Sequence, residues 1–187
     1  MHFDPRRLGA WTRRTLARPL RRFVRHRGGA VAIEFPLILV PFLAFLYAIM
    51  ETALVFFANQ VLETGAQEAA RLVMTGQAQA AKFDQSTFKT AVCARMTGWL
   101  DCANKMSIDV RTFASFSSVE MPSPLNPNGT LASGGYNLGG PGEIVVVRLS
   151  YEFPIAIKLW NPNLANMAGD NRLIVATAAF RNEPYNN

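Results

Sequence analysis

From Phe35 to Ala58 the chain runs for 24 residues with a single charge, Glu51. At about 1.5 Å of rise per residue, a helix of that length covers roughly 36 Å, against roughly 30 Å of bilayer hydrocarbon. The stretch therefore predicts a membrane-spanning helix. Its small residues, Gly28, Gly29 and Ala30, precede the apolar core, whereas a secretory signal peptide carries a shorter core with its small-residue cleavage site behind it. Pro36 and Pro41 remove two backbone donors and predict a loosened beginning, which membrane helices tolerate when neighbouring groups satisfy the backbone again. Glu51 is expected near the outer interface.

What flanks the span gives it a direction. A calculated pI of 9.8 suggests a nucleic-acid partner until the charges are placed. Nine of the 19 Lys and Arg residues are arginines between Arg6 and Arg27, whereas from Ala30 onward 10 basic residues meet 12 acidic ones, a formal −2. The basicity thus belongs to a leader, and a short arginine-rich segment beside a hydrophobic span keeps its side cytoplasmic. Nucleic acid is not an expected partner; membrane lipid is. The expected divisions are a basic cytoplasmic leader over 1–29, a transmembrane helix over 30–58, an amphipathic extension over 59–82, and a periplasmic α+β domain over 83–187.

In the extension, Val61, Leu62, Gly65, Ala66, Ala69, Leu72 and Val73 share one face, while Gln60, Glu63, Gln67 and Arg71 form a polar stripe at helical spacing. The small apolar face suits close packing, on the protein's own domain or on a neighbouring subunit's helix. Gly76 predicts the helix end. A second helix is expected from Asp84 or Ser86 to Leu100, with Phe83, Phe88, Val92 and Met96 buried. Cys93 and Cys102 form an even pair beyond an export helix and predict a disulfide. On one continuous helix they would lie about 13.5 Å apart, so pairing requires a turn, expected near Gly98.

Three strands follow, over 107–113, 143–153 and 172–180, and they predict an antiparallel sheet with one face on the helices. The second alternates cleanly, setting Val145, Val147, Leu149, Tyr151 and Phe153 against Arg148, Ser150 and Glu152. Between the first two strands lies a Ser, Pro, Asn and Gly stretch over 117–142, expected as a mobile loop or an interaction surface.

Catalytic chemistry is not expected. Both histidines, His2 and His26, lie in the leader, so the later part has no imidazole to activate a nucleophile or bind a metal, and two cysteines do not close a zinc site. Gly139-Gly140-Pro141-Gly142 precedes a strand rather than a helix and is a turn, not a phosphate loop. No cofactor is implied.

The residues Gly28-Gly29-Ala30-Val31-Ala32-Ile33-Glu34-Phe35 resemble the processing site of type IV pilin-like precursors. Together with Arg27, Pro41, Gln67-Glu68-Ala69-Ala70-Arg71, Gly76 and the ending Phe180-Arg181-Asn182-Glu183-Pro184, they resemble TadE-like minor pilins, or pseudopilins, of the tight adherence (Flp pilus) system. The resemblance implies cleavage by a prepilin peptidase between Gly29 and Ala30. It also implies subunit assembly through Glu34 and Phe35, with sibling minor pilins, the major Flp pilin and an inner-membrane assembly platform as partners. Phe35 departs from the tyrosine usual at that place, keeping the ring and losing the hydroxyl. The competing reading is an uncleaved single-pass anchor carrying a binding or scaffold domain that uses the 117–142 loop and Trp160.

Overall fold

A computed structural model describes residues 28–96, 98, 100–155 and 165–185, and only the backbone of 28–32. The leader and Trp160 lie outside the described residues. The chain divides between Met50 and Glu51 into two compact units. Helix α1, Gly28–Met74, supplies the described part of the first and opens the second. Pro36 and Pro41 both lie inside it, and the helix runs through them without a break.

In the second unit, α1 is followed by three short helices, α2 (Gln77–Ala80), α3 (Gln85–Cys93) and α4 (Cys102–Lys105). Strands β1 (Met106–Phe113), β2 (Ile144–Pro154) and β3 (Asn171–Arg181) complete it. The architecture is α+β. The sheet is antiparallel in the order β1-β2-β3, and Val110, Val147 and Ala178 stand level across it. Its inner face carries Val110, Val145, Val147, Leu149 and Ile174 into a core shared with Leu62, Ala66 and Val73 of α1 and Phe88 and Val92 of α3. The small side chains of α1 thus pack within its own domain. At Gly65 an added Cβ would lie 2.8 Å from the Met96 sulfur, so glycine sets the distance of closest approach there.

α1 ends where expected. Thr75 and Gly76 donate their N–H groups to the carbonyls of Arg71 and Val73 at 3.1 and 3.0 Å, and Gly76 takes a left-handed φ of +74°. The tail after β3 returns to this point. The Glu183 N–H donates to the Met74 carbonyl at 2.9 Å, and the Tyr185 ring lies against Gly76, within 2.6 Å of where a Cβ would stand. Beside it the Gln79 and Asn182 side-chain amides each donate to the Leu138 carbonyl at 3.0 Å.

Two expectations are corrected. Asp84 caps the second helix, its carboxylate accepting from the Thr87 N–H at 2.7 Å, but that helix stops at Cys93 rather than reaching Leu100. Gly98 therefore does not terminate it, and the left-handed glycines among the described residues are found elsewhere. The segment 117–142 is hydrogen-bonded to the sheet. Gly135 and Asn137 run beside the edge of β1, with the Val110 N–H donating to Gly135 and its carbonyl accepting from Asn137, both at 2.9 Å. The preceding residues lie over the outer face of the sheet. Consequently Arg148 and Ser150, set on the polar side of the strand by its alternation, are buried there together with Val146.

Candidate assembly site

The described residues of α1 from Ile33 onward are long and apolar enough to cross a membrane, and no residue of the most apolar 18-residue window is buried in the protein. Within the first unit Ile33, Phe35, Leu37 and Ile38 are all exposed, Phe35 by 64%. So large an apolar area facing outward is stable only against lipid or other apolar helices. In the second unit Val55 and Ala58 already belong to the domain core, while Phe56 and Phe57 point away from it.

Gly29 and Ala30 lie inside the first turns of α1. A peptidase requires extended chain, so the helix must open there; each glycine costs a helix roughly 1 kcal/mol relative to alanine, which makes Gly28-Gly29 an easily opened start. Glu34 and Phe35 follow one turn later, both exposed. Among the described residues Glu34 has neither an ion-pair nor a hydrogen-bond partner.

Cys93 and Cys102 are joined in a disulfide, with Cα atoms 5.7 Å apart. Because α3 ends at Cys93, the chain can reverse within the nine-residue separation, which the longer helix would have prevented. Lys89 strengthens the same junction by donating to the Ala103 carbonyl at 2.7 Å; burial lowers its pKa, and the nearby Asp101 carboxylate opposes that shift. Tyr136 closes the other side of α3. Its hydroxyl donates to the Phe83 carbonyl at 2.9 Å, and burial, aided by Asp84, pushes its pKa up to about 12.

Asp109 and Arg148 were missed by sequence reasoning as a unit. They stand opposite each other on β1 and β2, with a guanidinium nitrogen 2.8 Å from a carboxylate oxygen. Asp109 also accepts from Arg111 and from the Gly135 N–H, each at 2.8 Å, and Arg148 donates to the Pro122 carbonyl at 2.7 Å. This cluster fastens the 117–142 segment to the sheet. Its sequence signal was the one aspartate within β1 and the one arginine within β2. Among the described residues no group of His, Cys, Asp and Glu is arranged to hold a metal ion.

The features that converge on α1 are an exposed apolar helix, two glycines at its start and a carboxylate one turn in. Residues 29–71 match the TadE-like protein family. The TadE-like segment begins at Gly29, takes in Glu34 and Phe35, and ends at Arg71 on the polar stripe, so it coincides with most of α1. No curated protein and no solved structure shows a significant match to the chain.

Proposed function

We propose that the protein is a minor pilin-like or pseudopilin-like component of tight adherence (Flp, type IVb) pilus assembly, cut by a prepilin peptidase between Gly29 and Ala30. The TadE-like match over 29–71 carries this reading and supports involvement in Tad pilus assembly. On this reading the protein sits in a bacterial inner membrane with its leader cytoplasmic and its α+β domain periplasmic. The spanning part of α1 ends short of Val55, where the domain core begins.

Cleavage removes the leader with its nine arginines, makes Ala30 the new N-terminus and makes Glu34 the fifth residue. A charge at mid-bilayer costs on the order of 2.5 to 3.5 kcal/mol, less near the interface. As the helix moves deeper, Glu34 needs a cation, and the freed amine of a neighbouring subunit supplies one. The small-residue face of the extension is occupied within the domain, so subunit contacts come from the exposed apolar part of α1, with Phe35 beside Glu34. The partners are the prepilin peptidase, other minor pilins, the major Flp pilin, the inner-membrane assembly platform and membrane lipid. The protein acts by helix packing and not by catalysis.

The test is the N-terminal sequence and intact mass of protein from its native membrane, with the peptidase present and deleted. A start at Ala30 that depends on the peptidase is the expected result. A chain that begins at the leader in both strains would overturn processing and leave a permanent anchor.

A further inference from the structure

Arg148 stands on the outer face of the sheet beneath the 117–142 segment, with its side chain only 9% exposed. Two of its nitrogens are matched: Nη2 donates to the Asp109 carboxylate at 2.8 Å and Nη1 to the Pro122 carbonyl at 2.7 Å. Its Nε–H is buried and, among the described residues, has no acceptor. A buried donor left unmade costs the full desolvation of its group, more when the group is charged, so such donors take a protein partner or an ordered water.

The pairing of β1 with β2 sets Asp109 opposite Arg148 and, one pair along the same face, Ser107 opposite Ser150. Between these four residues and the stretches 122–124 and 132–134 of the covering segment lies a cavity of about 20 Å³. A water needs roughly 10 to 15 Å³ and two to four polar partners. The cavity therefore has room for one water and nothing larger. Besides the Arg148 Nε–H it offers Ser150, which is buried and whose hydroxyl bonds to no other described residue. Ser107 donates to the Ala132 carbonyl at 2.9 Å and keeps its oxygen lone pairs free to accept.

We infer that this cavity binds one water molecule, which accepts from the Arg148 Nε–H and donates to the Ser107 and Ser150 oxygens. Charge favours a neutral occupant over a halide ion. The Asp109 carboxylate already lies 2.8 Å from the guanidinium, and both side chains are more than nine-tenths buried. A halide beside them would meet that carboxylate at close range with little solvent to screen it. The water completes the hydrogen bonding of the buried ion pair, so the 117–142 segment is held over the sheet partly through solvent. The site involves only the sheet and its covering segment and stands whether or not the leader is cleaved.

The test is a crystal structure of the full chain in detergent, at a resolution that shows ordered solvent, from crystals grown once in chloride and once in bromide. A single solvent peak should stand within hydrogen-bond distance, up to about 3.2 Å, of Arg148 Nε and of the Ser107 or Ser150 hydroxyl. It should carry no anomalous bromide signal. A cavity without density would overturn the inference, and so would a bromide signal, the latter in favour of an anion. Two substitutions check that the site is built by its size and by Arg148. Ser150→Ala leaves the cavity open and keeps the Nε–H, so the peak should remain. Ser150→Val fills the cavity with a methyl group, so the peak should be lost. A peak lost in the alanine variant or kept in the valine variant counts against the site as assigned, and if the valine variant does not fold, the unaltered chain and the alanine variant still decide.

Discussion

Asp109 holds two guanidinium groups and a backbone N–H while being almost wholly buried. Removing one partner of such a pair leaves the other charged and dry, a loss of about 3 to 5 kcal/mol. Asp109→Ala should lower the unfolding free energy by that amount in denaturant titration, and a loss below about 1 kcal/mol would mean that the cluster is not what fastens the long connection. Asp84 behaves differently because it is on the surface. Its hydrogen bond from the Thr87 N–H, helped by the hydroxyls of Thr87 and Ser86, holds its carboxyl below the ordinary 3.8. A depressed folded-state pKa stabilises at every pH above the unfolded value and stops doing so as pH falls through the lowered one. Protection of the Thr87 amide should therefore persist at neutral pH and disappear on acidification below about 3.8. Asp84→Asn, which keeps an acceptor without the charge, should flatten that dependence; an unchanged profile would assign the transition to another group.

Among the elements, the junction between α3 and β1 depends most on a covalent link. A loop closed over nine residues of separation removes enough denatured-state freedom to stabilise the fold by about 2.5 to 3 kcal/mol in the chain-entropy account. The double variant Cys93→Ser, Cys102→Ser should be destabilised by about that much, as read from its denaturation midpoint. The elements were largely legible in the sequence. The three strands fall within a residue of their expected bounds, since alternation and β-branched content mark a half-buried strand. The end of α3 was not legible, because the apolar spacing of Val92 and Met96 continues past Cys93 while the chain turns to bring Cys102 back. Nor was the second covered face of β2, for local pattern does not reveal that a Pro- and Gly-rich segment folds over a sheet. Gly134 shows why that segment is so composed: a Cβ there would fall 2.0 Å from the Ile108 carbonyl oxygen.

For the whole molecule, the proposed role rests on α1. Glu34→Ala should abolish pilus assembly while leaving the domain folded and the disulfide formed, and piliation at the parental level in that variant would remove Glu34 from the mechanism. The long apolar helix and its terminal glycines were legible because a run of that length with a single charge has few fates. Its neighbours were approached only through the family likeness, since an exposed apolar surface carries no address. The periplasmic reading and the disulfide agree in requiring an oxidising side of the membrane. One further consequence concerns how the sequence can drift. From Val145 to Tyr151 seven successive residues of β2 are buried, because helices lie on one face of the sheet and the 117–142 segment on the other. A one-sided strand accepts polar replacements at every second position. In a saturation mutagenesis library, β2 should instead appear as an unbroken block of intolerance, with β3 beside it keeping the alternate pattern.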